Sequence, residues 1–134
     1  MTRKIFLVSH GNFAKGMKSS IEMIAGKFDN LFSFGLQPGG NPNELVNQVV
    51  SNFDDSDEVI ILGDLKGGSV CNAMLALSLR KNVTLITGTN LALALETVLR
   101  SNNDELDEDI IKAKDNIEKL EIKPQKNNEE DFFS

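Results

Sequence analysis

The chain has 134 residues, 40% of them hydrophobic, with 14 Lys and Arg against 20 Asp and Glu for a formal charge of −6. That length and apolar content suit one globular domain, and the acidic balance argues against a nucleic-acid partner, which needs clustered cations to neutralise phosphates. No run approaches the ~18 apolar residues of a membrane span, no signal-type stretch opens the chain, one cysteine permits no internal disulfide, and the absence of Trp and Tyr removes the usual stacking surfaces for sugars. A cytoplasmic protein is expected.

Residues 5–8 have the unbroken apolar character of a buried strand, which ends on Ser9-His10-Gly11. From 12 to 26, Phe13, Met17, Ile21 and Ile24 share one helical face, with Gly26 as the stop. Residues 31–34 make a short second strand, after which Gln37-Pro38-Gly39-Gly40 breaks the chain. Asn41 then caps a helix with Pro42 in its first position and Glu44 three residues on, a capping-box arrangement, and Leu45, Val46, Val49, Val50 and Phe53 form its core face. A polar turn over 54–57 leads to a third strand, 59–62, followed by Gly63-Asp64-Leu65-Lys66-Gly67-Gly68-Ser69. The third helix spans 69–79, with Ala73, Ala76 and Leu77 inward and Cys71 as a small core residue; the fourth strand is 83–86. Thr87-Gly88-Thr89-Asn90 opens an almost wholly apolar helix over 91–99, which should be buried on most sides, with a partner subunit as one source of cover. Leu106, Ile110, Ala113, Ile117 and Leu120 mark a last amphipathic helix, and the acidic stretch 104–109 reads as a solvated helix start. Residues 1–123 are thus the domain, and 124–134 read as a disordered acidic tail.

Strands alternating with helices predict an α/β fold: an open, mainly parallel four-stranded sheet with helices on both faces. Right-handed crossovers bring all strand ends to one edge, where open sheets bind ligands. His10, Gly11, Asp64, Gly67, Gly68, Ser69, Thr87 and Asn90 fall at that edge. A neutral imidazole has one basic nitrogen free to attack, and a carboxylate on the other N–H fixes the tautomer and steadies the cation. Loop amides and glycines could hold phosphoryl oxygens. Each residue also has a plainer reading: His10 as a surface or core histidine, Asp64 as a turn or helix cap, Gly67 and Gly68 as a turn, Ser69 as a helix cap. One histidine and one cysteine make a metal site a poor fit, and no cofactor is expected.

At Ser9-His10-Gly11, at Gly63 to Ser69 with Asn72 following, and at Thr87-Gly88-Thr89-Asn90-Leu91, the chain resembles the mannose-class EIIA component of the phosphotransferase system, the fructose/mannose/sorbose type. The resemblance spans about 4–123. It implies that His10 accepts phosphate on Nε2 from the phosphohistidine of HPr, with Asp64 bonded to Nδ1, and passes it to a histidine of an EIIB partner. A sugar is then phosphorylated at the EIIC/EIID membrane complex. It also implies a homodimer exchanging a C-terminal strand, which residues 119–123 would supply. The family often has Pro where this chain has Val70 and Ala92, and neither change removes a reactive group. A free-standing EIIA is expected, with its EIIB on another chain. The donor subunit of a dihydroxyacetone kinase system usually has Ser after the histidine and a Gly-Ser-Ala-type loop, and a histidine phosphatase has Arg before it. Gly11, Lys66-Gly67-Gly68-Ser69 and Ser9 count against those alternatives. A non-catalytic interaction domain predicts that His10 is dispensable.

Overall fold

A computed structural model describes residues 2–123. Four strands, β1 (Arg3–His10), β2 (Leu31–Leu36), β3 (Glu58–Gly63) and β4 (Val83–Ile86), form one parallel sheet in the order β2-β1-β3-β4. Because side chains alternate across a strand, Ile5 and Leu7 join Ile60 and Leu62 on one face, under α1 (Phe13–Ala25), α4 (Leu91–Leu99) and α5 (Leu106–Asp115). Phe6, Val8, Val59 and Ile61 face the other way, under α2 (Pro42–Val50) and α3 (Ser69–Met74). Both central strands are therefore covered on both sides, which is why their sequences are continuous apolar runs. Phe6 anchors the second layer, stacking on Phe32 at 4.9 Å between ring centres and meeting Phe53 edge-on at 6.0 Å.

From β1 the chain crosses to β2 on one flank, then returns past β1 to β3 on the other. The connections leaving the carboxyl ends of β1 and β3 thus run in opposite directions, and a crevice opens between those ends. His10 closes β1, and Asp64 is the first residue after β3.

Several elements differ from the sequence reading. In α1 the buried stripe is Ala14, Met17 and Ile21; Phe13 and Ile24 sit on its flank and are exposed. α2 begins as expected, with Asn41 as its cap, accepting from Asn43 N at 2.9 Å, and Pro42 in first position. The third helix ends at Met74 and tightens into a 3₁₀ segment, Leu75–Leu79. Its inward face is Val70, Cys71, Met74 and Leu77, whereas Ala73 is half-buried and Ala76 exposed, because the bulkier residues at this helical spacing fill the space over the sheet. α4 buries Leu93, Ala94, Thr97 and Val98 and leaves Leu99 exposed, so one side only is fully covered among the described residues.

α5 closes at Asn116, whose N–H turns back to the carbonyls of Lys112 and Ala113. Ile117 and Leu120 lie beyond it and are exposed, and residues 119–123 form no strand among the described residues. The acidic run is not all solvated: Asp109 is completely buried and receives Arg100 as a fork, Nη2 at 2.8 Å and Nε at 3.2 Å. Arg100 also meets Glu105 at 2.7 Å. Arg3 donates to the carbonyls of Thr97 and Arg100 and to Asn103 Oδ1, so this polar cluster ties the loop between α4 and α5 to the start of β1. The expected tail, 124–134, lies outside the described residues. No helix among them is long and apolar enough to cross a membrane.

Candidate active site

At the crevice the Asp64 carboxylate bridges the two strand ends. Its Oδ2 accepts from the His10 backbone N–H at 2.8 Å and from the His10 ring at Nδ1, also 2.8 Å, while Oδ1 accepts from Leu65 N at 2.9 Å. The two backbone bonds fix the carboxylate, and the carboxylate then fixes the ring. An ionised carboxylate only accepts, so Nδ1 carries the proton and a neutral ring keeps its lone pair on Nε2. Ser69 Oγ lies 3.1 Å from Nε2 and donates to it. The His10 side chain is 47% exposed and that of Asp64 13%, which leaves the imidazole half open to solvent and its partner sheltered. Burial pushes the Asp64 carboxyl up, but the bonds from His10 N and Nδ1, the His10 charge and Leu65 N outweigh it, holding the group below the usual carboxylate value.

The glycine loop shapes the far side of the ring. Gly67 takes a positive φ of 79°, and its carbonyl is held by Asn72 Nδ2 at 3.1 Å. Gly68 packs against the imidazole; a Cβ there would stand 3.3 Å from His10 Cε1 and 3.3 Å from the Leu65 carbonyl oxygen. Gly68, not Ser69, is the capping residue of α3, so the Ser69 hydroxyl is left for His10. Gly11 turns the chain out of β1 with φ 54° and donates to Leu36 O at 2.7 Å.

Thr87 and Asn90 take other places. Asn90 caps α4 through Oδ1, accepting from Leu93 N at 2.9 Å, and its Nδ2 donates to Ala113 O at 2.8 Å, tying α4 to α5. Thr87 lines a surface groove with Lys66, Gly67 and Asn72, on the glycine-loop side. Among the described residues, the side-chain partners of the His10 ring are Asp64 and Ser69. No three His, Cys, Asp or Glu side chains among them come together as a metal-ligand set.

Two supports were not recognised from sequence. Buried Ser9 accepts from Ala14 N at 2.8 Å and donates to the His10 carbonyl at 3.0 Å, joining the histidine's own peptide to the first turn of α1. A serine just ahead of a helix start is the available signal. Gly35 lies where a Cβ would overlap the Gly11 carbonyl oxygen, and the signal is a glycine inside the apolar pattern of β2.

The sequence pattern of the family described as PTS system fructose IIA component matches residues 4–114. The sorbose-specific EIIA component of Lacticaseibacillus casei is 30% identical over 103 residues, 75% of each chain. The mannose-specific EIIAB component of Escherichia coli K12 is 26% identical over 133 residues, which are 92% of this chain and 41% of that longer protein. Among solved structures, the PTS IIA protein associated with the fucose utilization operon of Streptococcus pneumoniae superposes with a TM-score of 0.80 at 33% identity, covering 89% of this chain and 93% of that one. With a parallel sheet matching those structures and a family pattern running through β1, the glycine loop and α5, the chain belongs to the mannose-class EIIA components of the sugar phosphotransferase system.

Proposed function

We propose that His10 is the residue on which this phosphotransferase component carries its phosphoryl group, taking it from the phosphohistidine of HPr and passing it to a histidine of an EIIB protein. The observation that carries the reading is the Asp64 bond to Nδ1, which leaves Nε2 as the only basic ring nitrogen, on the half-exposed edge. In the transfer, the Nε2 lone pair attacks phosphorus while the phosphorus–nitrogen bond to the donor imidazole breaks. Nδ1 keeps its proton throughout, and the positive charge that builds on the ring is met by the ionised Asp64. Ser69 gives up Nε2 and turns its hydroxyl to a phosphoryl oxygen, and amides of the glycine loop supply further donors. The reaction needs little more than this alignment, because a loose phosphoryl transition state asks for positioning and charge stabilisation. The EIIB partner would then feed the EIIC/EIID membrane complex, with this component on the cytoplasmic side.

A homodimer is the proposed assembly. Ile117, Leu120 and Ile122 are strongly exposed, α4 is covered on one side, and β4 is an open sheet edge. Residues 119–123, as a strand exchanged between copies, would cover such an edge.

The test is intact mass after incubation with phosphoenolpyruvate, Enzyme I and HPr. One phosphoryl group is expected on the wild type, lost in acid and stable in base, and none on His10→Ala. Phosphorylation of that variant, or none of the wild type with active HPr, refutes the assignment.

A further inference from the structure

Beside Asp64 is a small cavity with about 10 Å³ of room for a water-sized sphere. Ser9, Gly63, Asp64 and Thr89 contribute to its wall, and Phe13 and Met17 are among its apolar lining. That room suits about one water molecule, provided two or more polar groups meet it. Thr89 is 7% exposed, and its Oγ1 is buried with no hydrogen-bond partner among the described residues. The Thr89 N–H donates to Gly63 O at 3.0 Å, pinning it beside the residue before Asp64. Among the described residues Asp64 Oδ1 accepts from Leu65 N alone and has a lone pair left, and Ser9 Oγ, already accepting from Ala14 N, has capacity for one more donor.

We propose that this cavity holds one structural water, accepting from the Thr89 hydroxyl and donating to the Asp64 carboxylate, which makes Thr89 a positioning residue for His10. Its effect runs through Asp64. The water adds a donor at Oδ1, so the carboxylate whose Oδ2 holds Nδ1 is fixed by one more bond besides those from the backbone. A buried hydroxyl that costs stability when unpartnered thereby acquires a partner. The proposal rests on the reading that Asp64 orients His10 for phosphoryl transfer.

Thr89→Val keeps the branched shape and deletes the hydroxyl; Thr89→Ser keeps the hydroxyl. Three quantities are compared in the full chain: melting temperature, the His10 ring tautomer from ¹⁵N spectra of the free protein, and the transfer rate from phospho-HPr. The Val variant is expected to melt lower, to lose part of its Nδ1-protonated tautomer, and to transfer about tenfold more slowly, the scale at which indirect partners act. The Ser variant is expected to restore all three. A Val variant that melts higher with an unchanged tautomer overturns the proposal, because replacing a dry, unpartnered hydroxyl by methyl is stabilising. Should Val prevent folding, Thr89→Ala makes the same comparison. If the wild type takes no phosphoryl group from active phospho-HPr, the carrier reading fails, and the tautomer comparison still decides for or against Thr89.

Discussion

Asp64→Asn changes one atom and separates the carboxylate's charge from its shape. Asp64 accepts three hydrogen bonds, two at Oδ2 and one at Oδ1, whereas an amide offers one acceptor oxygen. With that oxygen at the Oδ2 position, the bonds to His10 N and Nδ1 persist as neutral ones, and the NH₂ group is turned against the Leu65 N–H. In the flipped orientation, NH₂ faces Nδ1 and selects the tautomer with its proton on Nε2, which has no lone pair for phosphorus. In both, the charge that meets the developing imidazolium is gone. A hydrogen bond to a charged group is worth roughly 1.5–3 kcal/mol, and a half-exposed ring recovers some of that from water, so about 2 kcal/mol should be missing in the transition state. At 1.36 kcal/mol per decade this is about a 30-fold slower transfer. The assay is rapid-quench intact mass with excess phospho-HPr, with melting temperature as the control for folding. The pH dependence follows from the same bonds. The folded carboxyl titrates below its ordinary value of 3.8, so its stabilisation is fully present above that value and lost as pH falls through the folded one. The stability gap between wild type and Asp64→Asn should therefore narrow as pH drops below about 4. An unchanged transfer rate would refute the reasoning and reduce Asp64 to a cap on the His10 and Leu65 amides.

Ser69→Ala removes the hydroxyl 3.1 Å from Nε2 and is expected to slow transfer about fivefold, one ordinary hydrogen bond, without lowering the melting temperature; full-speed transfer would exclude a role for the hydroxyl at phosphorus. Gly35→Ala forces a Cβ onto the Gly11 carbonyl oxygen, and denaturant unfolding should show a loss of about 2 kcal/mol, the usual scale for overpacking. A variant as stable as wild type would mean that the turn after His10 yields freely. Asp109→Ala takes the buried carboxylate out of the Arg100 fork and leaves Glu105 as its remaining acidic partner, and the melting temperature should fall. The folded fraction should still transfer phosphoryl at the wild-type rate, and a slower one would tie the α4–α5 loop to the site.

The sheet and the contact of His10 with Asp64 were legible because their causes are local. Ile5 to Val8 of β1 and Val59 to Leu62 of β3 are apolar on both faces, so their sequences read as buried strands, and a histidine and an aspartate at the ends of two parallel strands must share an edge. What was missed depends on contacts distant in sequence. Ile117 and Leu120 continue the spacing set by Leu106, Ile110 and Ala113, yet the helix closes at Asn116, and neither side chain finds a surface among the described residues. Asp109 looks like one more solvated acid in its run, and only the fold-back of Arg100 from the end of α4 makes it a buried ion-pair partner. Ser69 reads as a cap by residue type, but Gly68 takes that position, where a Cβ would press on the His10 ring and on the Leu65 carbonyl at 3.3 Å. The local signal in each case is sound, and tertiary geometry decides what the residue does with it.

The charge around His10 suits a group that must depart again. The ring is held by one carboxylate and one hydroxyl, both aligned on nitrogen, while Lys15 and Lys66, the cations nearest in sequence to His10 and the loop, are exposed. A guanidinium fork would bind a phosphoryl dianion in two places and hold it as strongly before transfer as during it. Uniform binding of that kind deepens the intermediate without lowering the barrier out of it. Asp64 acts differently, because its charge sits on the ring nitrogen opposite the one that attacks. It stabilises the imidazolium character that appears when Nε2 bonds to phosphorus, and places no positive charge against the phosphoryl oxygens. On the proposed reading, then, the anion that activates His10 also keeps the proton on Nδ1 of the phosphorylated ring, so that neutral imidazole is the leaving group, and the hand-on to the next histidine is served by the same contact as the uptake.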